Sequence, residues 1–277
     1  MRIAVTGGNG FIGKYLIKFL IKDKKNKIIH LYRRKQIKHA RIKNVKFDIS
    51  KKIKKNVYKE IGSSEYLIHL AWDNLNNYNS KSHLGTYTQN IKFFRNIHSY
   101  SLKKIFVMGT CFEYGKRNGE LKENLRANPG NNYSKSKDNL KKKLFKIFKY
   151  KEPIVIWGRL FYIYGEGQDP RTLYGQFSKS IKDKKKIFNM SKGDQTRDYL
   201  NVNTVIKIII KILKKSDKSD VINICSGRPV SLKNLVKKWQ KKKKYKLKFN
   251  YGYYKNSVNE AQKFWGSTKK LKKILNK

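Results

Sequence analysis

A tyrosine and a lysine four residues apart, Tyr133 and Lys137, have the types and spacing that proton transfer requires. They lie in the segment NNYSKSKDNLKKKLF, where Leu140 and Leu144 recur at helical spacing, and residues four apart share one face of a helix. A phenol with an ordinary pKa of about 10 exchanges protons at neutral pH only if its phenolate is favoured, as a neighbouring ammonium would do. In a chain this rich in lysine the pair also arises by chance, so its position matters.

A hydroxyl precedes this segment. Thr110 follows the apolar run KKIFVMG at 103–109, at the carboxyl end of a predicted strand. Open α/β sheets bind their ligands at the carboxyl ends of the strands. This position supports the interpretation of Tyr133 and Lys137 as a proton-transfer pair and adds Thr110 as a hydroxyl at the same edge of the sheet.

A glycine-rich loop stands at the beginning of the chain. TGGNGFIG places Gly7, Gly10 and Gly13 directly after an apolar strand and before a segment with an apolar helical face. Small residues at such a junction allow a tight turn, close approach of backbone amides to a pyrophosphate, and packing of the helix on the strand. The triplet alone fits any tight turn, but its context predicts a dinucleotide site.

The second predicted strand, 27–32, ends in LYRRK, at the position that selects between NAD and NADP. An acidic residue there is typical of NAD sites, and an arginine accommodates the 2′-phosphate of NADP. Arg33 and Arg34 are adjacent in a chain that has only eleven arginines, and a guanidinium suits phosphate recognition. The pattern favours NADP(H) and leaves NAD(H) open.

Short apolar runs at 45–47, 66–71, 103–109 and 153–160 alternate with segments of helical length. This alternation predicts an α/β fold with a Rossmann-type, doubly wound parallel sheet. After residue 160 the chain becomes rich in turns, which predicts a smaller, partly interleaved C-terminal substrate domain. We expect a dinucleotide-binding domain at 1–160 and a mostly substrate-binding domain at 161–277, with some segments returning to the first.

Charge is the unusual feature of the composition: 67 Lys plus Arg against 18 Asp plus Glu give +49. The basic residues are mostly lysine and are spread along the whole chain, which favours a solvated surface over a nucleic-acid partner. The two cysteines, Cys111 and Cys225, lack metal-ligand spacing, so no metal is expected. The longest apolar stretch, 205–213, is interrupted by lysines, and the chain begins with a strand. We expect a cytoplasmic protein without a membrane partner.

Read in order, the motifs TGGNGFIG, FDIS, HLAW, GTCFEYG, YSKSK, GRLFYIYG, TRDYL and NICSG resemble those of the extended short-chain dehydrogenase/reductases. Within that superfamily the sequence is similar to the NAD-dependent epimerase/dehydratase family, which modifies nucleotide sugars. The resemblance implies that Tyr133 is the general acid/base, that Lys137 holds the nicotinamide ribose, and that Thr110 hydrogen-bonds the reacting oxygen. It also implies that the cofactor is bound by Gly7, Gly10, Phe11, Ile12, Gly13, Asp48, Ile49, Leu70 and Ala71, to which the strand-end argument adds Arg33 and Arg34. For the nucleoside-diphosphate sugar it implies contacts with Thr110, Cys111, Phe112, Tyr162 and Arg197.

Departures from the family pattern narrow the chemistry. Cys111 and Phe112 stand where the dehydratases of the family carry an Asp-Glu pair, which disfavours dehydration, and Tyr162 stands where many epimerases carry Asn. The motifs are most similar to the nucleotide-sugar 4-keto reductases of the dTDP-6-deoxy-talose dehydrogenase type. We therefore expect NAD(P)-dependent reduction of a 4-keto-6-deoxy sugar nucleotide. An NAD-dependent epimerase and a noncatalytic polyanion- or nucleotide-binding protein remain alternatives, and a homodimer is compatible with either enzyme.

Overall fold

The computed structural model describes residues 1–97, 102–149, 153–255 and 261–276. Its strands are β1 (Arg2–Thr6), β2 (Lys27–Tyr32), β3 (Ile42–Lys46), β4 (Tyr66–His69), β5 (Lys104–Thr110), β6 (Gly119–Leu121), β7 (Ile154–Leu160), β8 (Tyr162–Tyr164), β9 (Ile187–Met190), β10 (Thr196–Asn201), β11 (Asp220–Ile224), β12 (Pro229–Ser231), β13 (Lys248–Tyr251) and β14 (Phe264–Gly266). Its helices are α1 (Phe11–Leu20), α2 (Lys55–Gly62), α3 (Ser82–Ile97), α4 (Asn132–Ile147), α5 (Leu173–Lys182), α6 (Val202–Lys215), α7 (Leu232–Lys243) and α8 (Lys269–Leu275). A single 3-10 turn, Cys111–Tyr114, directly follows β5.

Seven strands form one sheet in the order β11-β7-β5-β4-β1-β2-β3. Every neighbouring pair in it is parallel. The strand order reverses at β1, which lies between β2 and β4, and such a reversal opens a ligand crevice at the carboxyl ends of the strands. The predicted doubly wound parallel α/β sheet is confirmed.

Both faces of the sheet are covered, which explains why its strands are almost continuously apolar. Because successive side chains alternate between faces, Ile3 and Val5 pack toward one layer and Ala4 toward the other. The first layer contains α1, α6 and α8, and the second contains α2, α3 and α4. This packing fixes the strand ends that carry the site.

Residues after β7 contribute both to the main sheet and to the smaller sheets beside it. β11 extends the edge of the main sheet beside β7, and α6 packs on α1. The strands β8, β10 and β12 form a separate three-stranded sheet, while β13 pairs with β9 and β14 with β6. A further apolar cluster around Phe177, Phe188 and Trp239 packs against the three-stranded sheet and the β13–β9 pair, while Leu121 and Phe264 of the β14–β6 pair belong to a separate cluster.

No helix in the described ranges is long and apolar enough to cross a membrane. No three His, Cys, Asp or Glu side chains there are grouped as metal ligands.

Candidate active site

A cleft of about 950 Å³ lies at the carboxyl ends of the central strands and is bordered on its other side by the segment after β7. It is lined by every residue predicted to bind the cofactor, namely Gly7, Gly10, Phe11, Ile12, Gly13, Arg33, Arg34, Asp48, Ile49, Leu70, Ala71, Tyr133 and Lys137. Four of the residues predicted to bind the substrate, Thr110, Cys111, Phe112 and Tyr162, also line it. The fifth, Arg197, does not.

The glycine loop fits a pyrophosphate. Gly7 has a φ of 71°, and a Cβ there would lie 2.8 Å from the backbone N of Ala71. A Cβ on Gly13 would lie 2.1 Å from the Gly7 carbonyl oxygen, so a side chain would push α1 away from the loop. In the described structure no side chain caps α1 and its first turn carries no acidic residue. The first N–H groups of α1 are therefore available to an anion in the cleft.

Thr110 and Tyr133 meet at the floor of the cleft. Thr110 is the last residue of β5, and its side chain hydrogen-bonds the Tyr133 phenol. Tyr133 lies in the first turn of α4, where the Asn131 side chain accepts a hydrogen bond from Ser134 N at 2.8 Å and so fixes the start of the helix. The expected pairing of this hydroxyl with this phenol is thus present in the geometry.

Lys137 lies one turn further along α4 and is almost completely buried. Its Nζ donates to the Met108 carbonyl oxygen at 2.7 Å. Burial lowers the pKa of Lys137 from 10.5 to about 7, an effect that the Glu113 carboxylate opposes. The ammonium is therefore close to losing its proton at neutral pH.

The Tyr133 phenol has a raised pKa, which differs from the lowered pKa expected from a neighbouring Lys137. Burial is the largest cause, the nearby Tyr78 adds to it, and the hydrogen bond with Thr110 opposes it. The Lys137 ammonium donates to Met108 rather than to the phenol. In this structure Tyr133 is consequently a proton donor at neutral pH, the form that an acid needs to protonate a ketone oxygen.

The carboxylate of Glu113 is buried beneath Thr110. Glu113 is fully buried in the turn after β5 and accepts hydrogen bonds from Thr110 N at 3.0 Å and Trp157 Nε1 at 2.8 Å. It also accepts from Arg159 Nε at 2.9 Å and Lys141 Nζ at 3.1 Å. Glu113 thus ties β5, β7 and α4 together beneath Thr110. Sequence reasoning missed it because its side-chain partners lie 28 to 46 positions away along the chain.

Aromatic side chains surround Tyr133 and Lys137. Tyr78 stacks on the Tyr133 ring with centroids 5.2 Å apart, and Trp72 meets its edge at 6.0 Å. Trp72 Nε1 donates to Nδ1 of the buried His83 at 3.1 Å, which fixes the indole in place. The sequence placed Trp72 in the HLAW motif but gave no signal for its contact with α4.

A salt bridge lies at the end of the cleft beside β2. Arg33 donates from Nη1 to Asp73 Oδ2 at 2.7 Å, and both side chains are more than two-fifths exposed. Arg34, Asp48 and Ile49 line the same part of the cleft. Asp73 is thus a second acidic residue at the predicted adenosine site, in addition to Asp48.

Arg197 occupies a different environment from the one predicted. Its side chain is only 2% exposed, and Nη1 donates to the carbonyl oxygens of Thr196 and Gln262. The guanidinium packs over the rings of Phe264 and Tyr162 at 4.8 and 5.9 Å. The arginine that lines this side of the cleft is Arg171, which is exposed and paired with Asp169.

Known proteins resemble this chain over nearly its full length. Residues 3–225 match the model of the NAD dependent epimerase/dehydratase family. The dTDP-6-deoxy-L-talose 4-dehydrogenase (NAD(+)) of Aggregatibacter actinomycetemcomitans is 26% identical over 96% of this chain and 100% of its own length. The GDP-6-deoxy-D-talose 4-dehydrogenase of the same organism is 28% identical over 82% of this chain and 75% of its own length.

Solved structures share the fold. The UDP-N-acetylglucosamine 4-epimerase from Methanobrevibacter ruminantium M1, in complex with UDP-N-acetylmuramic acid, superposes with a TM-score of 0.85. That pair is 21% identical, and the superposition covers 99% of this chain and 91% of the other. The UDP-glucuronic acid 4-epimerase from Bacillus cereus with UDP-glucuronic acid and NAD gives a TM-score of 0.82 at 21% identity, covering 100% and 93% of the two chains.

Proposed function

The chain belongs to the NAD dependent epimerase/dehydratase family, and we propose that it reduces a 4-keto-6-deoxy sugar bound to a nucleoside diphosphate, using a nicotinamide dinucleotide. The observation that carries the proposal is the hydrogen-bonded pair of Thr110 and a protonated Tyr133 in the same cleft as the glycine loop. The cofactor would supply the hydride. The curated relatives named as 6-deoxy-talose 4-dehydrogenases support the sugar class.

Each residue of the pair has a separate task. Tyr133 delivers its proton to the C4 oxygen of the sugar, and Thr110 orients that oxygen by a hydrogen bond. Lys137, one helical turn from Tyr133, would donate to the hydroxyls of the nicotinamide ribose, for which its ammonium must leave the Met108 carbonyl. Gly7, Gly10 and Gly13 leave room for the pyrophosphate at the start of α1.

The two residues after Thr110, Cys111 and Phe112, do not supply the acid and the base that dehydration would need. Burial raises the pKa of the Cys111 thiol, so this side chain stays protonated and is a poor base. Phe112 has no exchangeable proton. Both residues line the cleft next to Thr110, where an eliminating enzyme would need an acid and a base.

Epimerisation is the second candidate, and the 4-epimerases among the structural neighbours favour it. An epimerase oxidises the sugar first, for which Tyr133 must act as a phenolate. At neutral pH the raised pKa of Tyr133 keeps the phenol protonated, which is the form that the reductive step requires. An epimerase would also retain its dinucleotide during purification and cause no net oxidation.

The test is to supply the purified protein with a dTDP-linked 4-keto-6-deoxy sugar and either reduced dinucleotide, following nicotinamide absorbance. Net oxidation that is lost in Tyr133→Phe supports the reductase. Interconversion of two sugar nucleotides without net oxidation would replace it with the epimerase. Salt-sensitive binding of a polyanion, with no turnover of any keto sugar, would contradict both enzyme functions.

A further inference from the structure

The salt bridge between Arg33 and Asp73 crosses the cleft above β1. Arg33 is the first residue after β2, and Asp73 follows β4 by four positions. These two strands flank β1, from whose end the glycine loop begins. The 2.7 Å bridge between Nη1 and Oδ2 therefore spans the crevice in which a dinucleotide would lie.

The loop that carries Arg33 is held against the glycine loop. Asn9 donates from Nδ2 to the Lys35 carbonyl oxygen at 2.6 Å. The Asn44 side chain accepts from Ile37 N and donates to the Ile37 carbonyl oxygen, both at 3.0 Å. These contacts hold the segment directly after Arg33, and the Arg33 guanidinium meets Asp73 from the end of β2.

Carboxylates balance the arginines at this end of the cleft. Arg33 is bonded to Asp73 and lies within the electrostatic influence of Asp48. Arg34 is exposed, and no ion pair connects it to the described part of the chain. The two arginines therefore do not form a free pair of cations.

We infer that Asp73 supplies, from the end of β4, the acidic residue that this chain lacks at the end of β2, and that it selects the dinucleotide without a 2′-phosphate. A carboxylate accepts hydrogen bonds from ribose hydroxyls, as the acid at the end of β2 does in other dinucleotide sites. The 2′-phosphate of NADP(H), with a charge of about −2, would lie beside the like-charged Asp73 and would have to replace it as the ion-pair partner of Arg33.

This inference rests on the proposed function only in assuming a dinucleotide in the cleft. It predicts NAD(H) selectivity, whereas Arg33 and Arg34 considered alone predict NADP(H). The difference arises because Asp73 is 40 positions from Arg33 and only the fold brings them together.

The role of Asp73 is tested by measuring the binding of NADH and of NADPH through nicotinamide fluorescence, without any sugar. The parent should bind NADH more tightly. Asp73→Asn should tighten NADPH by roughly tenfold or more, because it frees Arg33 and removes a repelling charge, and should weaken NADH a few-fold. Exposed ion pairs contribute little to folding, so the variant should remain folded.

Two further variants test whether the change in NADPH affinity comes from the pair of Asp73 and Arg33. Asp194→Asn removes the same charge from an exposed pair with Lys233 outside the cleft and should leave the preference unchanged. In the double variant Arg33→Ser with Asp73→Asn, the gain in NADPH affinity should be smaller than in Asp73→Asn, because only the removal of the repelling charge remains.

The inference is overturned if the parent prefers NADPH, if Asp73→Asn behaves like Asp194→Asn, or if the whole gain survives without Arg33. Failure to turn over a keto sugar would count against the reductase alone. Failure to bind either dinucleotide would contradict the proposed function and this inference together.

Discussion

The ammonium of Lys137 lies 3.9 Å from the centre of the Trp72 ring. The indole is held by its bond to His83, and the ammonium is held by the Met108 carbonyl oxygen. A cation over the face of a tryptophan is stabilised by the electrons of the ring. Trp72 thus favours the charged form of a lysine whose pKa burial lowers.

Replacing Trp72 should move the pH dependence of dinucleotide binding. A cation–π contact contributes about 0.5 to 2 kcal/mol, and about 1.4 kcal/mol corresponds to one pKa unit. Trp72→Leu should therefore lower the pKa of Lys137 by roughly half a unit or more. Because the ammonium form exists below this pKa, binding should weaken at a lower pH than in the parent, where weakening begins near pH 7.

Trp72→Phe retains an aromatic face and serves as the control, so its profile should stay close to that of the parent. The ionisable groups around Lys137 are Glu113, Tyr133 and His69. Burial lowers the pKa of His69 to about 3, so this side chain stays neutral throughout the range. If dinucleotide binding had the same pH dependence in the Leu and Phe variants, the aromatic face of Trp72 would have no effect on the pKa of Lys137.

Removing the phenol oxygen of Tyr133 should abolish most turnover without loss of dinucleotide binding. Tyr133→Phe should lower kcat by about 100- to 10,000-fold, the usual contribution of a general acid. Tyr78→Phe removes the same atom from the ring stacked on it and should cost only a few-fold. Steady-state rates with the keto sugar provide the measurement, and comparable losses in both variants would contradict the assignment of Tyr133.

Glu113→Gln should strongly destabilise the protein. The variant leaves Arg159 and Lys141 buried beside a neutral amide, and breaking a buried ion pair costs about 3 to 5 kcal/mol. Glu60→Gln removes a carboxylate from an exposed pair with Lys43 and should cost at most about 1 kcal/mol. Urea denaturation of the two variants measures the difference between their free energies of unfolding. Equal midpoints would show that Glu113 contributes no more to stability than Glu60 does.

Arg171, rather than Arg197, should control the apparent affinity for the nucleotide sugar. Arg171→Gln should raise KM by about tenfold or more, because a hydrogen bond to a charged group contributes about 1.5 to 3 kcal/mol. Arg197→Gln should instead lower the melting temperature, since that guanidinium is buried against Phe264 and two carbonyl oxygens. A KM raised only by the Arg197 variant would restore its predicted contact with the diphosphate.

Local patterns in the sequence were sufficient for the fold and for much of the cleft. Alternating apolar runs predicted six of the seven strands of the main sheet, all but β11, because buried parallel strands must be apolar on both faces. The glycine loop and the four-residue spacing of Tyr133 and Lys137 are short-range features, so their geometry follows from the strand-turn-helix and helix that contain them. The motif order identified the family, which the family match confirms.

The sequence by itself determined most strands of the main sheet, the glycine loop and the helix that carries Tyr133 and Lys137, because each depends on neighbours along the chain. Only the tertiary structure decided what surrounds the reacting groups. Packing of β4 against β1 and of β5 against β7 brought Trp72 to Lys137, Asp73 to Arg33 and Glu113 to Arg159. It also buried Arg197 behind the cleft. These contacts join residues 40 to 65 positions apart, and no periodicity in the chain encodes a charge or ring that another strand presents.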